Sequence, residues 1–202
     1  MKTQVTMRPT DEFLVENAAT FLSVSEQSLL GSMTQIRRSD WLAGRYILKS
    51  LFQEVSSNEI LLSEIEVLYE NKRPILIYAG KSWKASISHS QEYVAVSFAC
   101  GSQPGIDIEQ LKPRNAYLQK YMLSKEELQI LQGDVHATTI AWTLKEAAFK
   151  ADLFQVTMPE YKITKRLAAG KYSVCNIQTE VEFEVTTAFI ANYVFSYTLY
   201  SL

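Results

Sequence analysis

Gly105-Ile106-Asp107-Ile108-Glu109 and Trp142-Thr143-Leu144-Lys145-Glu146-Ala147-Ala148-Phe149-Lys150 are the two stretches on which the reading turns. In the first, acids alternate with isoleucines. Residues two apart on a strand share a face, so Asp107 and Glu109 point one way while Ile106 and Ile108 enter a core. Two carboxylates on one face repel unless something positive sits between them. The second stretch has helical character, and Glu146 and Lys150, four apart, lie on one face of it. If that face meets the acidic strand, three carboxylates and an ammonium converge. Oxygen ligands of that number suit Mg²⁺, which shares its shell with water and substrate phosphate. The lysine would then hold a phosphate oxygen.

Each stretch alone has an ordinary explanation. An acidic pair at a strand end is commonly a solvated edge. A Glu–Lys pair at this helical spacing is commonly a surface pair worth about 0.3–0.5 kcal/mol. Their co-occurrence in this order, with Glu109 and Glu146 37 residues apart, resembles the signature of the 4'-phosphopantetheinyl transferases. That family carries a (V/I)GxDxE-like strand followed by a (W/F)xxKExxxK helix.

Composition narrows the field. The chain has 202 residues, is 47% hydrophobic and carries a net charge of −2. That suffices for one large core or two small ones. No basic excess points to nucleic acid, and no apolar run is long enough to span a membrane. The first residues, Met1 to Thr6, lack the apolar core of a signal peptide. Two cysteines, Cys100 and Cys175, make neither a disulfide framework nor a zinc site. In apolar, strand-like surroundings both are expected to be buried. These features together predict a cytoplasmic protein.

In the first half, residues 11–57 are expected to be helical. Asp11 is a candidate cap for a segment reaching Leu22, and Ser25 precedes a second segment with Glu26 in its first turn. From Gln35 to Phe52 the apolar residues follow a 3.6 period, and Arg37, Arg38, Arg45 and Lys49 carry the positive charge. An amphipathic helix with a charged outer face explains that pattern. It also resembles a family helix with an Ala-Gly-Arg-like centre, matched by Ala43-Gly44-Arg45, whose glycine would admit a close neighbour. Residues 64–69 alternate as a strand, Asn71-Lys72-Arg73-Pro74 is a turn, and Tyr93 to Ala99 is a buried strand. The Ser88-His89-Ser90 segment is expected to be a turn, where hydroxyls and amides suit an anion; a histidine bonded to backbone is the alternative.

Gly101 to Gly105 is the clearest break, and it places a boundary between residues 1–101 and 102–202. Beyond the acidic strand, Leu111 to Asn115 is a loop. Ala116 to Met122 mixes tyrosines with Lys120, suited either to an acidic partner or to solvent. Ser124 and Glu127 form a capping box, and Asp134 caps a helix running to about Leu153. Residues 155–202 are expected to be rich in strand. No nucleophile elbow and no Gly-rich phosphate loop occurs, which argues against a serine hydrolase and a P-loop nucleotide enzyme.

The resemblance implies an α+β, pseudo-dimeric fold of two similar halves with the active site in the cleft between them. The first half would contact the nucleotide of coenzyme A; the second would bring the carboxylates and the catalytic helix. It implies Mg-dependent transfer of 4'-phosphopantetheine from coenzyme A to a serine of an apo acyl or peptidyl carrier protein, with release of 3',5'-ADP. Asp107, Glu109 and Glu146 would hold Mg²⁺. Lys150 would neutralise phosphate, and Glu146 or Glu127 would take the serine proton; Glu127 is explained equally by its cap. Lys72, Arg73, Ser88, His89 and Arg45 would bind coenzyme A, with Lys72 standing where the family has glycine. A monomer is expected, with no nucleic acid or membrane partner. The Gly-rich turn that many members carry after the helix lysine is replaced by Ala151 to Val156. A lapsed member that binds coenzyme A or a carrier without turnover is the alternative.

Overall fold

A computed structural model describes residues 1–9, 11–56 and 59–201. Ser57 and Leu202, which close two of the expected stretches, lie outside them. The chain divides into two compact units, Met1–Gly101 and Ser102–Leu202, and both are α+β.

The first unit opens with β1 (Lys2–Met7), then α1 (Asp11–Glu16), α2 (Ala18–Phe21), α3 (Val24–Leu29) and the 22-residue α4 (Gln35–Ser56). Four strands follow: β2 (Glu66–Glu70), β3 (Arg73–Tyr78), β4 (Lys81–Ser90) and β5 (Tyr93–Ala99). They make one antiparallel sheet in the order β1-β5-β4-β3-β2. Its core joins Leu42, Leu48 and Phe52 of α4 to Val94, Val96 and Phe98 of β5.

The second unit repeats the plan. β6 (Ile106–Gln110) precedes α5 (Ala116–Met122), α6 (Lys125–Ile130) and α7 (Ala137–Ala151). Then come β7 (Tyr161–Ala168), β8 (Lys171–Asn176), β9 (Val181–Ile190) and β10 (Tyr193–Ser201), in the order β6-β10-β9-β8-β7. In each unit the first strand therefore pairs with the last, and hairpins run back across the sheet. Ile140, Leu144 and Ala148 of α7 pack on Val174, Val185 and Val194.

Several expectations shift. Lys2–Met7 is a strand, although its sequence is polar; it sits at a sheet edge and pairs only with β5. The second helical segment is capped by Ser23, not Ser25. Ser88-His89-Ser90 is not a turn: it closes β4, paired with Ala95, Val94 and Tyr93. Ala116 to Met122, whose sequence leaves open a docking segment or a solvated one, is α5, capped by the Asn115 side chain. Cys100 is exposed and Cys175 half-buried. Among the described residues no helix is long and apolar enough to cross a membrane.

One device occurs in both units. Ser23 and Glu26 form a capping box at α3; Ser124 and Glu127 form one at α6. The Ser23 amide donates to Glu26 Oε2 at 2.9 Å, and the Ser124 amide to Glu127 Oε2 at 2.8 Å. The other carboxylate oxygen accepts from a strand amide, Val67 at 3.1 Å in one unit and Ile163 at 3.0 Å in the other. A buried lysine on the long helix completes each set: Lys49 reaches Glu26, and Lys145 reaches Glu127 at 2.7 Å. Each lysine also donates to a carbonyl two residues before the capping serine, Phe21 or Met122. Helix, cap and strand are thereby tied together at one point in each unit.

Candidate active site

Gly105 fixes the site's geometry before any charge is considered. A Cβ at this position would lie 1.8 Å from the Ala147 carbonyl oxygen and 2.9 Å from the Ala151 amide. Only glycine lets the start of β6 press on the backbone of α7. Hydrogen bonds hold the contact from the other side: the Gly105 amide donates to Thr198 Oγ1 at 2.9 Å, and the Thr198 amide to the Gly105 carbonyl at 3.0 Å.

That contact brings Asp107 to Lys150. The Lys150 ammonium donates to Asp107 Oδ1 at 2.7 Å and to the Ile106 carbonyl at 3.0 Å. Asp107 is buried, at 5% exposure. Burial pushes the Glu146 carboxyl above its ordinary range; Lys150 opposes this, while Asp107 and Glu109 add to it. Asp107, Glu109, Glu146 and Lys150 therefore share one electrostatic neighbourhood, as the alternation and the helical spacing lead one to expect. Glu109 is held in turn by Arg114, whose Nη2 donates to Oε2 at 2.9 Å.

Three carboxylates with hard oxygen donors fit Mg²⁺ in chemistry. Asp107 and Glu109 are each engaged by a cation, however. Among the described residues no three acidic, histidine or cysteine side chains are gathered into a ready metal site. An ion held by these residues competes with the Lys150 and Arg114 pairs.

Glu127 does not join this group. It is 2% exposed, and both oxygens are committed to Lys145, Ile163 and Ser124. Its counterpart Glu26 occupies the same arrangement in the other unit. Arg45 is likewise a core residue at 2% exposure. Its guanidinium donates to Glu26 Oε1 and to the Val67 carbonyl, both at 3.1 Å, and lies 3.5 Å from the centre of the Trp41 ring. Burial lowers the Arg45 and Lys49 pKa values, with Glu26 opposing the shift in both. The expected charged outer face of α4 thus turns two of its cations inward.

Lys72 lies with Asn71 in the two-residue turn between β2 and β3. Both have positive φ, 65° and 50°. A glycine would take the Lys72 conformation without steric cost, which gives the departure noted at that position a physical meaning. Arg73 begins β3. His89 sits against α4 at Gly44, where an added Cβ would come within 3.0 Å of His89 Nε2 and of Ile87 Cγ2. The glycine thus admits a close neighbour, as its place in the helix implies.

Register shows why the duplicated plan carries one acidic cluster. The last hairpin of each sheet turns through two residues, so Tyr93 matches Tyr193, and the row Asp107–Ser196–Thr187 of the second sheet matches Gln4–Val96–Ile87 of the first. Glutamine stands where the second unit has Asp107. With Lys49 matched to Lys145, Ser50 and Glu54 stand where it has Glu146 and Lys150.

A family model described as the 4'-phosphopantetheinyl transferase superfamily matches residues 103–197. That span includes Asp107, Glu109, Glu146 and Lys150. Among solved structures, the chain is similar to the holo-[acyl-carrier-protein] synthase of Thermotoga maritima. Identity is 21%, over 60% of this chain and 73% of that one, with a TM-score of 0.38. No curated protein matches the chain.

Proposed function

We propose, from the premise that this chain belongs through residues 103–197 to the 4'-phosphopantetheinyl transferase superfamily, that it transfers 4'-phosphopantetheine from coenzyme A to a serine of an apo carrier protein. The observation that carries this reading is the meeting of Lys150 with Asp107, beside Glu146, inside the matched span.

The serine oxygen forms a bond to the phosphorus that bears pantetheine. The phosphoanhydride bond breaks, 3',5'-ADP leaves, and the serine proton passes to a carboxylate. Such a transfer depends on charge neutralisation and alignment more than on covalent help. Lys150 supplies fixed positive charge for a phosphate oxygen. Asp107 holds its ammonium in place, while Gly105 fixes the helix that carries it. Glu146 is the carboxylate assigned to the serine proton, directly or through water; Glu127 is not, because the core consumes both its oxygens. Asp107, Glu109 and Glu146 are the residues that would hold Mg²⁺. When bound, the ion supplies further neutralisation of the pyrophosphate.

Lys72, Arg73, Ser88 and His89 are assigned to the nucleotide end of coenzyme A. Exposed Tyr117 and Tyr121 on α5, with Lys120 between them, suit an acidic carrier surface. A cytoplasmic setting and a monomeric state complete the reading. The test replaces Asp107 and, separately, Glu146 by alanine and follows carrier modification together with the unfolding transition. Loss of transfer with a cooperative transition is expected; retained turnover in either variant removes that carboxylate from the site.

A further inference from the structure

A cavity in the second unit has the chemistry of an anion site. It lies at the N-terminus of α7, a helix of 15 residues, and has a volume of about 180 Å³. That is room for an oxyanion together with ordered water.

The donors are fixed by the helix start. His136 is the N-cap residue, and its side chain caps nothing. Its amide is taken by Asp134 Oδ1 at 2.7 Å, and the Ala137 amide by the Asp134 carbonyl at 2.9 Å. The next two amides, those of Thr138 and Thr139, find no acceptor among the described residues. First-turn amides of this kind, with the positive end of the helix dipole behind them, attract anions.

A second, independent observation is the Thr138 hydroxyl. The residue is 9% exposed and lines the cavity, and its side chain has no hydrogen-bond partner among the described residues. The hydroxyl oxygen keeps accessible surface and is open to an occupant of the cavity. Lys112 lines the cavity without an ion pair among the described residues. Arg114 lines it as well, its Nε donating to Thr139 Oγ1 at 3.4 Å and its Nη2 to Glu109. Lys112 and Arg114 thus stand with two carboxylates, Glu109, which one edge of Arg114 pairs, and Asp134, which is turned toward the His136 amide.

We propose that this cavity binds a phosphate group, held by the Thr138 and Thr139 amides, the Thr138 hydroxyl, Lys112 and the free edge of Arg114. Phosphate fits better than carboxylate, because the donors outnumber what two oxygens accept, while a phosphate offers three or more. Arg114 links the occupant to Glu109. The phosphate comes either from the free ion or from a nucleotide end, and both are tested.

The experiment follows the melting temperature against inorganic phosphate, with sodium chloride at matched ionic strength as reference. Wild type is compared with Thr138→Val, which keeps shape and removes the hydroxyl, and with Lys112→Gln. Adenosine 3',5'-bisphosphate is titrated in parallel by calorimetry. A phosphate-dependent rise in wild type that is at least tenfold weaker in both variants supports the site. Loss of bisphosphate affinity in the same variants identifies a nucleotide end as the source; loss confined to inorganic phosphate identifies the free ion. No rise in wild type and unaltered bisphosphate affinity in the variants overturns the proposal, as do variants that respond to both ligands like wild type. None of these readouts depends on carrier modification.

Discussion

Replacing Lys145 by methionine leaves the Glu127 carboxylate buried with two backbone amides and no counter-charge. Both side chains are out of solvent, at 0% and 2%, so solvent screening does little to soften the loss. Removing one partner of such a pair costs about 3–5 kcal/mol. At roughly 2–4 °C per kcal/mol for a chain of this size, the melting temperature falls by about 6–20 °C. Glu127→Gln alone strands the lysine in the same way, and burial already depresses the Lys145 pKa against the pull of Glu127. The double variant Glu127→Gln/Lys145→Met removes both charges. Two neutral backbone groups then lose a partner, the Met122 carbonyl and one of the two amides bonded to Glu127, but no buried charge is left unpaired. The assay is urea unfolding of all four proteins, paired with carrier modification. The double variant is expected to be more stable than either single variant and to regain transfer activity. A double variant that folds well and remains inactive refutes the reasoning, because it makes Glu127 a group that acts on substrate.

Three further outcomes follow from particular residues. Gly105→Ala forces β6 off α7; overpacking of about 1–3 kcal/mol lowers the melting temperature by about 2–12 °C and reduces transfer. A melting point equal to wild type contradicts the 1.8 Å contact. Lys72→Gly relieves a left-handed backbone worth about 1 kcal/mol and raises stability, while coenzyme A affinity falls; unchanged affinity removes Lys72 from the binding set. Lys49 has a pKa below 10.5 in the folded chain. Between that lowered value and 10.5 the unfolded chain binds more protons, so wild-type stability gains relative to Lys49→Met as pH rises through this window. Denaturation from neutral to alkaline pH checks this, and a flat or falling difference contradicts it.

The acidic strand was legible because burial is written into its alternation: Ile106 and Ile108 have to enter a core, so Asp107 and Glu109 share the other face. The helix followed from its 3.6 period. What periodicity does not record is the partner of a charge. Arg45 and Lys49 sit at positions consistent with an outer face, and only Glu26, brought in by a neighbouring cap, takes them into the core. A signal for this was present. Leu22-Ser23-Val24-Ser25-Glu26 and Leu123-Ser124-Lys125-Glu126-Glu127 share one pattern, L-S-x-x-E, and each precedes a long helix with a lysine. Read together they mark the duplication and point to a structural task for Glu127. β1 was hidden for another reason: an edge strand paired on one side tolerates polar residues, so Lys2 to Met7 shows no apolar alternation. The Ser-His-Ser segment looked like a turn because serine favours turns, yet its cross-strand pairing with Tyr93 to Ala95 holds it extended.

The central claim is best tested by intact mass spectrometry of apo carrier proteins incubated with this protein, coenzyme A and Mg²⁺. Fatty-acid, polyketide and peptide-synthetase carriers should be included, with a chelator control. The account expects one carrier class or more to gain the mass of a single phosphopantetheine, and the gain to vanish on chelation. No gain on any carrier, from a protein that unfolds cooperatively and binds coenzyme A, would contradict it.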